Sequence, residues 1–183
     1  MFARYTDQCK RAVFFAQQTA LHADAKAIDP SHLLLGLLIE YRTGNGDIFR
    51  LRELLPEDAG HQDVIARERV LKGKIIPLSD SGKRVVAYTA REANGLRDYW
   101  IETEHLVLGI LREDNNAAAA RLREVGLELQ LCRQRVIDSR SSRPARPNPV
   151  IWWVRQRSLS VILPAVFLLG IIVALFLLGF GAR

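Results

Sequence analysis

The sequence predicts an all-α protein: a double four-helix repeat, then a linker and one C-terminal transmembrane helix. Three observations carry that expectation. The chain of 183 residues aligns with itself at an offset of 73. Its apolar residues recur at three-and-four spacing with negligible strand alternation. A stretch towards its end carries no charge over 25 residues, 158–182. The composition, 49% hydrophobic and 25% charged, is that of a globular chain.

At the offset of 73, Lys10 falls on Lys83, Arg11 on Arg84, Val13 on Val86, Ala20 on Ala93 and Ile28 on Ile101. "HLLLGLL" then falls on "HLVLGIL", pairing His32 with His105 and Gly36 with Gly109. Slipping to 71 pairs "RLRE" at Arg50–Glu53 with "RLRE" at Arg121–Glu124. This is a tandem repeat, with repeat one at 1–72 and repeat two at 76–138.

Each repeat reads as about four helices. The first helix starts at Thr6, with Cys9, Ala12, Val13, Ala16 and Ala20 on one stripe; its counterpart starts at Ser79, with Val85, Val86, Thr89, Ala90 and Ala93. Thr6 and Ser79 are good N-caps, each followed by an aspartate that suits the positive end of a helix. The second helix is capped by Asp29-Pro30 in repeat one and by Thr103 in repeat two. Further helices are expected near Asp47–Leu55 and Asn116–Val125, then Gln62–Leu71 and Glu128–Ser139. The second helices are apolar on every side, which places them at the centre of their units. Gly36 and Gly109 cost about 1 kcal/mol each in helix propensity, and close approach of a crossing helix is the expected compensation. His32 and His105 sit in first turns, where an imidazole can satisfy cap groups, and neither has a metal-ligand neighbour at the right spacing. Both read as structural.

The tail differs. "SRSSRPARPNPV" within 139–157 cannot bury a core and reads as a solvated linker. Leu159–Phe180 is 22 residues, about 33 Å as a helix, enough to span a bilayer. Trp152 and Trp153 precede it as interfacial aromatics, with Arg155 and Arg157 beside them. Five arginines precede the span and one follows, so the N-terminal head is expected in the cytoplasm of a tail-anchored, single-pass protein, with a bacterial inner membrane favoured.

Charge excludes nucleic acid as the expected partner. The net charge is +6, but through Asp138 the chain carries 20 basic and 20 acidic residues, and the excess lies wholly in the tail. Cys9 and Cys132 are far apart, so neither a disulfide framework nor a zinc module organises the fold. There is no G-x-x-x-x-G-K-[ST], and "GNGDIFR" at Gly44 fails that pattern, so ATP is not expected and no cofactor is implied. Ser31 and His32 are adjacent, hence about 100° apart on a helix, with no third group; catalytic residues are not expected.

With these residues in hand, the head resembles the N-terminal domain of the Clp AAA+ chaperones, particularly the ClpC type. "MFARYTDQCKRAVFFAQQTA", "TEHLVLGILRED" and "AAAARLREVGLELQLCRQRVI" carry the resemblance, which covers about Met1–Ile137. It implies an eight-helix bundle that binds adaptors and substrate segments and performs no chemistry. It also implies a site for arginine-phosphorylated segments, in which the glutamate of Thr-Glu-His holds the guanidinium. Repeat two keeps this as Thr103-Glu104-His105; repeat one has Ser31 where the glutamate would stand. The implied site is therefore single, around Glu104 and Thr103, with Ser79 and Thr6 as helix-end contributors. Two alternatives stay open: Glu104 as an ordinary first-turn acid, and an apolar groove using Phe2 and Leu78. The expected function is a membrane-tethered protein-binding module; the rival is a membrane scaffold whose head self-associates.

Overall fold

The computed structural model describes residues 2–43, 46–53 and 76–140. Within them lie six α-helices and one short 3-10 turn, with no strand. The first, α1 (Asp7–His22), begins where the sequence places it: the Thr6 hydroxyl accepts from the Cys9 N–H. Its stripe of Cys9, Ala12, Ala16 and Ala20 is wholly buried. It stops at Ala23, and Asp24 then turns the chain with a φ of 49°. In repeat two, α3 (Asp80–Gly95) copies this: Ser79 accepts from the Gly82 N–H, and Arg97, the image of Asp24, has a φ of 62°.

The central helices are α2 (Pro30–Thr43) and α4 (Thr103–Arg112). Leu33, Leu37, Leu106, Leu108, Ile110 and Leu111 are all buried, each worth about 1.5–3 kcal/mol of transfer free energy. Both predicted close approaches are present. A Cβ on Gly36 would lie 2.1 Å from the Ala12 carbonyl oxygen, and one on Gly109 2.3 Å from the Thr89 hydroxyl. Glycine lets α1 lie directly on α2, and α3 on α4. Repeat two continues with α5 (Ala117–Glu124), capped by Asn116, and α6 (Leu129–Arg140). Both pack on α4, and α5 also reaches α2.

Two expectations are corrected. The helix expected near Asp47–Leu55 is, over the described part, only the 3-10 turn Leu51–Glu53, closed by the Asp47 carboxylate accepting from the Leu51 N–H. Thr103 is not the cap of α4 but its first residue; Glu102 is the cap. The two central helices therefore start in register, because Pro30 and Thr103 are 73 apart. The helix expected at Gln62–Leu71 lies outside the described residues, as do the span at 158–182, Trp152, Trp153, Arg155, Arg157 and the linker beyond Arg140. Among the described residues, no helix is long and apolar enough to cross a membrane.

Two isolated parallel bridges relate the repeats: Tyr5 to Ile101 and Ile28 to Leu78. Tyr5 and Leu78 are images under the offset, as are Ile28 and Ile101, so one contact maps onto the other with the repeats exchanged. That reciprocity is the signature of an isologous, two-fold arrangement.

Candidate functional site

The bridges decide which helix ends meet. The Thr6 N–H donates to the Ile101 carbonyl at 3.0 Å, and the Ile101 N–H to the Arg4 carbonyl at 2.8 Å. The start of α1 is thereby held beside the start of α4. In the mirrored set, the Ser79 N–H donates to Ile28 at 2.9 Å and the Ile28 N–H to Pro77 at 2.8 Å, joining the starts of α3 and α2. Thr6 accordingly belongs with Thr103 and Glu104, while Ser79 belongs with Ser31. The sequence-based grouping of Ser79 with Glu104 crosses between the two ends.

Both histidines are built into helix starts. The Glu102 N–H donates to His105 Nδ1 at 2.9 Å, closing a capping box in which histidine takes the place usually held by glutamate. Nδ1 accepts, so Nε2 carries the proton and donates to Asp98 Oδ2 at 2.8 Å. Arg140 donates to the same carboxylate oxygen, and to the Leu96 carbonyl at 2.9 Å. In repeat one, the Asp29 N–H donates to His32 Nδ1 at 3.2 Å, and Asp29 Oδ1 accepts from Ser31 and His32. Ala25 stands where Asp98 would, so only repeat two has the third member. No group of three or more His, Cys, Asp or Glu among the described residues is arranged to hold a metal ion.

Glu104 faces inwards, 3% exposed, and Thr103 donates to its Oε2 at 3.2 Å. Burial pushes the Cys9 thiol well up, and the charges of Glu104, Glu102 and Glu40 push it further. Burial and then the Glu104 charge do the same to the Tyr41 phenol. Cys9 on α1, Tyr41 on α2 and Glu104 on α4 therefore share one buried locus where the repeats meet. A carboxylate beside hydroxyls at two adjoining helix starts can hold a guanidinium by its oxygens and an anion by the helix ends. Phe2 packs edge-on against Tyr5, with centroids 4.8 Å apart, and Leu78 lies in the opposite laced segment. Both are partly buried against the shared core.

Several ion pairs shape this region; in one of them both partners, Arg11 with Glu40, repeat at the offset of 73 as Arg84 with Glu113. Buried Glu40 and Glu113 each receive an arginine from the first helix of their own repeat, Arg11 at 2.6 Å and Arg84 at 2.7 Å. Glu92, 4% exposed, receives Arg112 and Arg133, both at 2.7 Å, tying α3 to α4 and α6. Burial alone would raise the Glu92 pKa, but the hydrogen bonds from Arg133 and Arg112 hold it below the ordinary glutamate value.

Comparison with known proteins agrees with this architecture. The chain is 29% identical over 143 residues to the negative regulator of genetic competence ClpC/MecB of Bacillus subtilis, covering 75% of this chain and 17% of that protein. It is 30% identical over 139 residues to a ClpA homologue of Guillardia theta, an ATP-binding subunit of the ATP-dependent Clp protease, with the same coverages of 75% and 17%. The chain thus spans about a sixth of the length of these curated relatives. The N-terminal domain of the chaperone ClpD from Arabidopsis thaliana has the same fold, with a TM-score of 0.56, 23% identity, and coverage of 77% of this chain and 97% of that one. The Clp repeat (R) N-terminal domain family matches residues 4–125, and with two helical repeats laced in that span the chain belongs to this family.

Proposed function

We propose that the chain is a non-catalytic protein-binding module of the Clp N-domain type, which takes adaptors or substrate segments at the paired starts of α1 and α4. The supporting observation is the lacing that sets Thr6 beside Thr103-Glu104, with the Glu104 carboxylate at the meeting point of both repeats. The ligand chemistry that fits is an arginine-phosphorylated segment: the carboxylate takes the guanidinium and the two helix ends take the phosphate. Because Glu104 is buried, binding parts the α1 and α4 starts. Ser31 gives the mirrored end no carboxylate, so a single site is expected. Titrating a phosphoarginine peptide into the purified full chain tests this. Glu104→Ala is expected to weaken binding at least about tenfold, the loss of one charge-assisted pair; equal affinity for variant and wild type overturns the assignment.

The same reading places the module on the cytoplasmic face of a membrane. Its support is the uncharged stretch at 158–182 and the arginines that precede it. Flotation of the full chain with lipid vesicles after alkaline washing is the expected behaviour, and recovery in the soluble fraction refutes it.

A further inference from the structure

Among the described residues, the two repeats differ on a face away from Glu104. In repeat two, Arg84, Tyr88 and Arg91 follow one another at four and three residues along α3, on one side of the helix. The Arg91 guanidinium lies 5.7 Å from the Tyr88 ring centroid, and that of Arg112, from the last turn of α4, lies 5.1 Å from it. Two cations on one ring repel each other unless a negative charge is near. Glu92 answers only part of this: it holds Arg112 by Nη1 and Arg133 by Nε and Nη2. Arg84 is answered by Glu113. Among the described residues, four arginines set against two glutamates leave two positive charges over, and Arg91 is exposed with its guanidinium over the ring.

Repeat one has nothing comparable at the image positions. Phe15 stands for Tyr88, Gln18 for Arg91, Thr19 for Glu92 and Ile39 for Arg112. That face is aromatic, with Phe14 and Phe15 in tilted contact at 5.8 Å, and Arg11, the image of Arg84, is matched by Glu40. Among the described residues, the duplicated scaffold thus carries this positive surplus on repeat two, about 12 Å along α4 from Glu104 at 1.5 Å per residue.

We propose that the Tyr88 face of repeat two, lined by Arg91, Arg112 and Arg133, docks an acidic segment of a partner protein. A carboxylate takes the open fork of Arg91 and the remaining donors of Arg112, relieving their repulsion, while the half-buried Tyr88 ring supplies apolar contact. A nucleic-acid backbone fits less well, because its regular charge needs a broad basic stripe and the chain through Asp138 is balanced. The surface is independent of the Glu104 end.

The test uses the full chain in detergent and a fluorescent peptide of about ten residues rich in glutamate, alongside its glutamine counterpart. Expected results are binding of the glutamate peptide alone, weakening with added salt, and at least about a tenfold loss in Arg91→Glu with a smaller loss in Arg91→Gln. Arg91 is exposed, so these variants fold. Unchanged affinity in Arg91→Glu overturns the proposal. So does an equal loss in Glu104→Ala, which puts the peptide at the other end of α4. Tighter binding of a short single-stranded oligonucleotide than of the peptide, lost likewise in Arg91→Glu, overturns it in favour of nucleic acid.

Discussion

Replacing Gly36 by alanine adds one methyl group where α2 crosses α1 at close range. Its carbon would fall 2.1 Å from the Ala12 oxygen, 2.5 Å from the Ala16 nitrogen and 3.0 Å from the Ala16 Cα. All three are main-chain atoms, so no rotamer change gives way and α1 must move off α2. Ordinary contact needs about 3.5 Å, so the helices part by about 1 Å, forfeiting a quarter to a half of the dispersion energy of each contact along that seam. Overpacking costs about 1–3 kcal/mol, and more against a rigid backbone, while the better helix propensity of alanine offsets about 1 kcal/mol. Because the atoms met are main chain, the upper end of that cost applies, and the net expectation is a loss of about 2 kcal/mol and a fall of roughly 4–8 °C in melting temperature for a unit of this size. Thermal unfolding followed by far-ultraviolet circular dichroism measures it. At Gly109 the nearest atom is the Thr89 hydroxyl, which can rotate, with the Val85 oxygen at 2.8 Å and the Thr89 nitrogen at 2.9 Å behind it. Gly109→Ala is therefore the milder lesion. A Gly36→Ala chain that melts at or above the wild-type temperature would refute the close-approach account.

Two further outcomes follow from the buried polar groups. His105→Ala leaves the Glu102 N–H without its acceptor and Asp98 with Arg140 alone, and opens a cavity, for a loss of about 2–4 kcal/mol in urea unfolding, whereas His32→Ala, with no counterpart of Asp98 in its repeat, loses about 1 kcal/mol; equal losses would refute the added role of Asp98. Against the opposing effect of burial, the Arg133 and Arg112 hydrogen bonds hold the folded pKa of Glu92 below the ordinary glutamate value of 4.5. Its contribution is therefore present above about pH 4.5 and lost as pH falls through the lower folded value. Glu92→Gln should destabilise the fold at neutral pH, where it leaves Arg133 and Arg112 short of a charge, and flatten the acid limb of the stability curve; an unchanged acid limb would refute the assignment.

The helix pairs were legible because their cause is local. A stripe such as Cys9, Ala12, Ala16 and Ala20, a cap such as Thr6 or Ser79, and a glycine within an apolar helix each declare themselves within a few residues. The register of α4 was misplaced by one because Glu102 and Thr103 can both begin a helix, and only the His105 side chain, folding back to the Glu102 N–H, selects the former. An offset of 73 states that two units are alike but not how one is turned against the other; translation and two-fold rotation give the same self-alignment. The pairing of Thr6, not Ser79, with the Glu104 end follows from that rotation and so was hidden. Glu92 with Arg112 and Arg133, or Asp98 with Arg140, join residues 20 to 42 positions apart and leave no periodic trace. The cationic ring at Tyr88 was equally silent, since balanced totals conceal a local surplus.

The crossed hydrogen bonds at Tyr5–Ile101 and Ile28–Leu78 mean that neither copy finishes its own edge. A polypeptide carrying one copy would keep its helix crossing at Gly36 or Gly109, yet leave the donors and acceptors around that edge answered only by water. Its complement is by construction another molecule of the same kind. Half of this protein is thus already shaped as one partner of a symmetric pair, and joining both in a single chain fixes them at a stoichiometry that dilution cannot undo.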